Sequence, residues 1–259
     1  MTSFRSELSP FFRAAGAALA AAAALAALPA SAWEWGGGPS VVGSGNFKTE
    51  TRAVSGFSGI SLSIPAKVTI VQGNAETLSI EGEDNILPLV ETVVDGGTLK
   101  IRWKERMSSI RTKQLKIALG VKAIDHLAIS GAGDIRSEQI NAPRLSTSIS
   151  GSGDIVIASL TGDSLKVSIS GSGDFTAGGR VGSVEASIAG SGDLKTAKLD
   201  AKTVKVSIAG SGDAAVWARE QLRVSVAGSG DVVYYGDPEI SKSVAGSGSL
   251  KRLGAAPAI

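Results

Sequence analysis

Apolar and polar positions alternate with a period of two through the second half of the chain, and the same phrase is written seven times. One apolar column runs Ile129, Ile149, Ile169, Ile188, Ile208, Val226 and Val244. Two residues earlier stand Leu127, Thr147, Val167, Ala186, Val206, Val224 and Lys242, and two earlier again Asp125, Leu145, Leu165, Val184, Val204, Leu222 and Ile240. The intervening polar phase carries Ala128, Ser148, Ser168, Ser187, Ser207, Ser225 and Ser243. Such a segment is a strand with one dry face and one wet face. After each comes a tetrapeptide: GAGD at 131–134, then GSGD at 151–154, 171–174, 190–193, 210–213 and 228–231, and GSGS at 246–249. A second short strand then opens at Ile135, Ile155, Phe175, Leu194, Ala214, Val232 and Leu250.

The last residues of the tetrapeptides are spaced by 20, 20, 19, 20, 18 and 18 positions. A fixed period near 20 in strand-forming sequence marks a solenoid. Equivalent residues face the same way in every copy, so the copies stack in register, which parallel pairing between successive windings achieves. The expected fold is all-β: a right-handed parallel β-helix of about seven coils of 18–20 residues over 122–253, the hand following from that of parallel connections. Gly-Ser-Gly fits a stacked corner, where neighbouring backbones approach closely. A dinucleotide fingerprint needs one such glycine motif followed by a helix, and here there are seven, each followed by a strand.

Residues 47–121 are strand-rich but less regular, and are expected to form irregular first coils or a cap, so that 47–253 makes one β-helical domain. Asp95-Gly96-Gly97 between two strands is a hairpin signal. Ahead of it, residues 33–46 (WEWGGGPSVVGSGN) are a Gly/Ser-rich linker, and 254–259 form a short tail. Residues 1–32 carry Arg5 and Arg13, the apolar run Ala14 to Leu28 and the small-residue site Ala30-Ser31-Ala32, the pattern of a secretory signal peptide. No later stretch is long and apolar enough to cross a membrane. An exported protein, periplasmic or at the cell surface, is expected.

Composition adds exclusions. With no cysteine, disulfides and Cys-based metal sites are ruled out, and His126 is the only histidine. A net charge of +2 gives no general case for a nucleic-acid partner. No cofactor is expected.

Two charged patterns remain. The corner aspartates Asp134, Asp154, Asp174, Asp193, Asp213 and Asp231 stack once per coil, and neighbours ~4.8 Å apart repel by about 0.9 kcal/mol in water. Each carboxylate is expected to accept backbone N–H groups of its own turn. A calcium ladder is the sharper alternative, since hard oxygen ligands suit that ion. The second pattern is the cluster Lys100, Arg102, Lys104, Arg106, Arg111, Lys113 and Lys116: either a solvated face or an anion-binding strip for acidic glycans or phosphorylated headgroups.

The opening GFSGISLSIPAKVTIVQG, the segment TVVDGGTLKIRW and the iterated SISGSGD coils together resemble the auto-transporter adhesin head GIN domain family of exported bacterial proteins. The resemblance spans about 47–250. It implies a β-helix and an adhesive or cell-surface role, and it carries no catalytic residues. The preferred function is therefore a non-catalytic exported binding or structural module, with a glycan, an envelope component or a protein as partner. The alternative is a carbohydrate-active enzyme, a polysaccharide lyase or hydrolase on a β-helix. Such an enzyme needs differentiated carboxylates in a groove, whereas the acids here repeat identically.

Overall fold

The computed structural model of the chain describes residues 40–104 and 109–257. The expected signal peptide, residues 33–39 of the expected linker, Arg106 and the last two residues of the tail lie outside the described residues. The N-terminal part contains β1 (Ser40–Val42), β2 (Phe47–Arg52), β3 (Gly59–Leu62), β4 (Lys67–Gln72), β5 (Thr77–Glu83), a 3-10 turn at Leu87–Leu89, β6 (Val90–Asp95), β7 (Thr98–Trp103), β8 (Ser109–Arg111) and β9 (Lys116–Val121). The repeats supply β10 (His126–Gly131), β11 (Asp134–Asn141), β12 (Arg144–Gly151), and the long strands β13 (Ile155–Gly171), β14 (Phe175–Gly190), β15 (Leu194–Gly210) and β16 (Ala214–Gly228). The last coil is β17 (Val232–Tyr235), β18 (Glu239–Gly246) and β19 (Leu250–Gly254).

Each repeat pairs parallel with the next in the register that the sequence columns demand: Ile129 with Ile149, Ile149 with Ile169, Ile169 with Ile188, and so on to Val226 with Val244. The result is a β-solenoid of about six turns, the number of steps between the seven corners. Its interior is the expected apolar file, with Ile149, Ile169, Ile188 and Ile208 all buried. Burying one such side chain contributes about 1.5–3 kcal/mol, and the contribution recurs coil by coil. Thr147 and Thr196 are polar exceptions, and their hydroxyls donate to Lys166 O at 3.3 Å and Ala215 O at 3.2 Å, which satisfies them in the dry interior.

Glycine makes the stacking possible. The first corner glycine of each repeat lies at φ between +117° and +139° from Gly131 through Gly246. A Cβ on the third, such as Gly173, would stand 2.2 Å from Gly153 O. At every corner but the last the first glycine's carbonyl accepts from the serine N–H of the next coil, and at the lower three it serves two donors: Gly151 O accepts from Ser172 N at 2.9 Å and Gly173 N at 3.1 Å.

Below the repeats the layers do not follow chain order. The first repeat strand β10 pairs with β3, and β11 pairs with β4; β3 and β4 in turn pair with β7 and β9. Residues 59–72 thus lie between the layer made by 98–121 and the first repeat. Antiparallel strands finish this end, β6 on β7 through the Gly96-Gly97 turn, and β5 and then β2 on β9. Arg52 reaches across it, donating to Val90 O at 2.7 Å and Leu87 O at 2.8 Å, and so ties the two sheet edges together. Among the described residues no helix is long and apolar enough to cross a membrane.

Candidate functional site

The corner aspartates form a ladder whose bonds run between coils. Asp174 Oδ1 accepts from Asp193 N at 3.0 Å, Asp193 Oδ1 from Asp213 N at 3.1 Å, Asp213 Oδ1 from Asp231 N at 2.8 Å, and Asp231 Oδ1 from Ser249 N at 2.8 Å. The lower rungs repeat this, from Asp154 N to Asp134 at 3.3 Å and from Asp174 N to Asp154 at 3.0 Å. The donor therefore belongs to the next coil, and the expectation of a bond within the same turn is corrected. The reason is the corner itself: its glycine carbonyl accepts from the serine N–H of the next coil, shared with the third-glycine N–H at the lower corners, and the next aspartate N–H turns to the carboxylate below it instead. Lys195 lies against two rungs, 2.5 Å from Asp174 and 3.5 Å from Asp193, and these carboxylates hold its ammonium above the ordinary lysine range, the hydrogen bond to Asp174 foremost. No group of three or more His, Cys, Asp or Glu side chains suited to one metal ion occurs among the described residues.

The outward side of the sheet that precedes the corners is flat and polar. Register carries one column from Lys100 through Ser61 and Ala128 to Ser148, Ser168, Ser187, Ser207, Ser225 and Ser243. The six consecutive serines span about 24 Å at the parallel strand spacing. A parallel column beside it holds His126, Ser146, Lys166, Glu185, Lys205, Arg223 and Ser241. Two shallow depressions lie along this face. One of about 370 Å³ is bounded by Ser183, Glu185, Thr203, Lys205, Gln221 and Arg223, and one of about 230 Å³ by Lys205, Ser207, Arg223, Ser225 and Ser243. Lys205 pairs with Glu185 at 2.9 Å, which holds that carboxyl below its ordinary range.

The basic cluster is divided by the fold. Lys100 and Arg102 sit at the foot of the serine face, paired across the hairpin with Asp95 at 2.5 Å and Glu91 at 2.6 Å. Lys104 follows them, exposed, at the end of β7. Lys116 projects from β9 on the other sheet and pairs with Glu81 at 3.1 Å. Arg111 and Lys113 flank Thr112, whose hydroxyl donates to Glu83, and Arg106 lies outside the described residues. Lys100 and Arg102 thus share a face with the solenoid's own cations Lys166, Lys205 and Arg223, which begin four strands farther along the stack and which the sequence cluster did not include.

Asp200 carries no mark in the sequence, because nothing in a local pattern marks a buried carboxylate. Glu83 stands there in the acidic run Glu76, Glu81, Glu83 and Asp84, whose expected role of balancing the basic cluster across the surface is corrected for Glu83. Asp200, 5 % exposed, is flanked by Arg180 at 3.0 Å and Arg219 at 2.7 Å from the coils on either side. Glu83 is fully buried and accepts from Thr112 Oγ1 at 2.8 Å, Lys113 N at 3.1 Å and Gly45 N at 3.0 Å, so that it ties residues 43–46 to the segment after β8. These donors, Thr112 first, hold its carboxyl below the usual glutamate range although burial acts the other way. A lowered folded-state pKa means that this contribution is complete above the unfolded value of about 4.3 and is lost as pH falls through the folded one. Protection of the Gly45 and Lys113 amides relative to their intrinsic exchange rates is accordingly expected to fall on acidification below about pH 4. Glu83→Gln should show that loss of protection already at neutral pH. Equal protection at pH 7 and pH 3 would contradict this role.

A wider cleft of about 910 Å³ lies at the capped end, between Thr51–Ser55, Glu76–Leu78 and Thr92–Val94. Its polar groups are engaged within the fold: Arg52 as above, and Glu76 with Gly56 N at 3.2 Å and Lys122 at 3.7 Å.

Known proteins bear on this architecture. A crystal structure of a putative adhesin from Bacteroides fragilis NCTC 9343 is similar at TM-score 0.78 and 27% identity, covering 82% of this chain and 100% of that one. A crystal structure of a putative lipid binding protein from Parabacteroides distasonis ATCC 8503 is similar at TM-score 0.72 and 28% identity, covering 83% of this chain and 100% of that one. A putative adhesin from Parabacteroides merdae ATCC 43184, at 18% identity and TM-score 0.67, shares the fold over 83% of this chain and 99% of its own. No curated protein matches the chain. Residues 56–238, most of the solenoid and its cap, match the family model described as "Putative auto-transporter adhesin, head GIN domain", and the chain belongs to that family.

Proposed function

We propose that this chain is an exported, non-catalytic binding module that holds an acidic glycan of the cell envelope or its surroundings along the serine face. The observation that carries the reading is the registered surface itself: six hydroxyls in file beside Lys166, Lys205 and Arg223, with Lys100 at its foot. A rigid row of small donors and acceptors suits an extended polar chain. Lys166 and Arg223, which form no ion pair among the described residues, favour a polyanion, whereas Lys205 and Lys100 are paired with Glu185 and Asp95. The repeated acids support binding rather than turnover, since each corner carboxylate is occupied with a backbone N–H of the next coil. The adhesin descriptions of the family and of the Bacteroides structure agree with such a role.

Alginate and neutral dextran test it against the purified protein. Alginate is expected to bind and dextran to bind more weakly. The alginate affinity should fall as salt shortens the Debye length, and fall again in the double variant Lys166→Glu, Arg223→Glu. Release of unsaturated or reducing ends would overturn the reading in favour of an enzyme, and binding that ignores both salt and the double variant would overturn the face.

A further inference from the structure

The two ends of the solenoid differ. The first is finished by antiparallel strands and by Arg52, whereas no strand among the described residues covers the last coil. β18 pairs with β16 on one side and, among the described residues, with no strand on the other. Ile240 and Val244 stand in register with Leu222 and Val226, which are 0% and 2% exposed, yet they are themselves 41% and 39% exposed because no coil lies over them. With Leu253 they make three of the six exposed large apolar side chains among the described residues, all on one coil. Between Ile240 and Val244, at the inward position of Val224, stands Lys242, which forms no ion pair among the described residues.

We propose that this edge receives an extended peptide strand of a partner protein whose inward residues read apolar, acidic, apolar at alternate positions. The strand would complete the N–H and C=O ladder of β18, cover Ile240 and Val244, and set its carboxylate against Lys242. Backbone addition of this kind gives affinity, and the alternate side chains give selectivity. A lipid surface fits poorly, because hydrocarbon offers no partner to the open row of backbone groups. A second copy also fits poorly. An antiparallel pairing centred on Lys242 opposes two ammonium groups, and a slip of two residues buries each against Ile240 or Val244 without a counter-charge. Lys242 thus acts against self-pairing while selecting an acidic strand, in the way that inward-pointing charges guard natural sheet edges.

Two fluorescent heptapeptides provide the probes: Thr-Val-Thr-Glu-Thr-Val-Thr, and the same peptide with Lys at its centre. The glutamate peptide is expected to bind the purified protein at least about tenfold more tightly, and Lys242→Glu to reverse the preference. Failure of the glutamate peptide to bind, equal binding of both, or a preference unchanged in Lys242→Glu would overturn the proposal. So would a dimer by sedimentation that the glutamate peptide dissociates, or phosphatidylglycerol vesicles that displace that peptide.

Discussion

Gly173→Ala is expected to lower the thermal midpoint by about 6–12 °C, the consequence of roughly 3 kcal/mol in a protein of this size. The added Cβ would fall 2.2 Å from Gly153 O and 2.7 Å from Ile149 Cγ2. Neither neighbour can yield: the first is backbone of the coil below, and the second belongs to a fully buried core side chain. A lateral shift of one coil would break its pairing on both sides, so the strain passes along the stack before it is relieved. Two comparisons isolate the cause. At Gly73 an added Cβ would meet nothing within 4 Å and φ is ordinary, so Gly73→Ala should change stability by less than about 0.5 kcal/mol. Gly248→Ala meets Gly230 O at 2.3 Å, but in the last coil, where only β18 and β19 depend on it. Its effect should appear as faster amide exchange in that coil with little change in the main transition, as nearest-neighbour coupling in solenoids requires. A Gly173→Ala midpoint equal to that of Gly73→Ala would refute the close-stacked corner as the constraint on these glycines.

The same corners show how far the sequence reaches. Period, register and inner columns were legible because each coil repeats one local rule, so Ile149, Ile169 and Ile188 mark the same place three times. Layer order at the other end was not legible. Gly59–Leu62 and Thr98–Trp103 both alternate apolar and polar residues, and alternation alone does not say which of them the first repeat will pair with. It pairs with the earlier one, a choice made by tertiary closure rather than by propensity. The polar columns were visible as serines, but their alignment with Lys100 follows from that non-sequential stacking and could not be drawn before it. Glu83 and Arg52 escaped for a different reason. A charged residue in a strand ordinarily signals solvent, and only the assembled cap supplies the Thr112 hydroxyl, the backbone donors and the carbonyls that make their positions favourable.

Asp174→Ala is expected to destabilise the protein by about 1–3 kcal/mol, and Asp174→Asn to be close to neutral. Alanine leaves the Asp193 N–H without its acceptor at 3.0 Å and removes the partner of Lys195. Asparagine keeps an Oδ1 in the same place. It loses the ion pair with Lys195, half exposed and so worth about 0–1 kcal/mol, while relieving about 0.9 kcal/mol of repulsion from each adjacent carboxylate before screening. Salt screening roughly halves that repulsion at exposed corners, so the two changes nearly offset and the hydrogen bond decides the outcome. Thermal unfolding of both variants, with calcium and with a chelator, separates this account from the cation ladder. If Oδ1 serves the next coil, calcium should leave every midpoint in place and the variants should rank wild type, asparagine, alanine. If a row of ions joins the coils instead, calcium should raise the wild-type midpoint strongly, and Asp174→Asn, having lost a charged ligand, should respond far less. Two carboxamides in succession, Asp174→Asn with Asp193→Asn, sharpen the contrast: they remove most of the local negative charge while leaving both rungs able to accept.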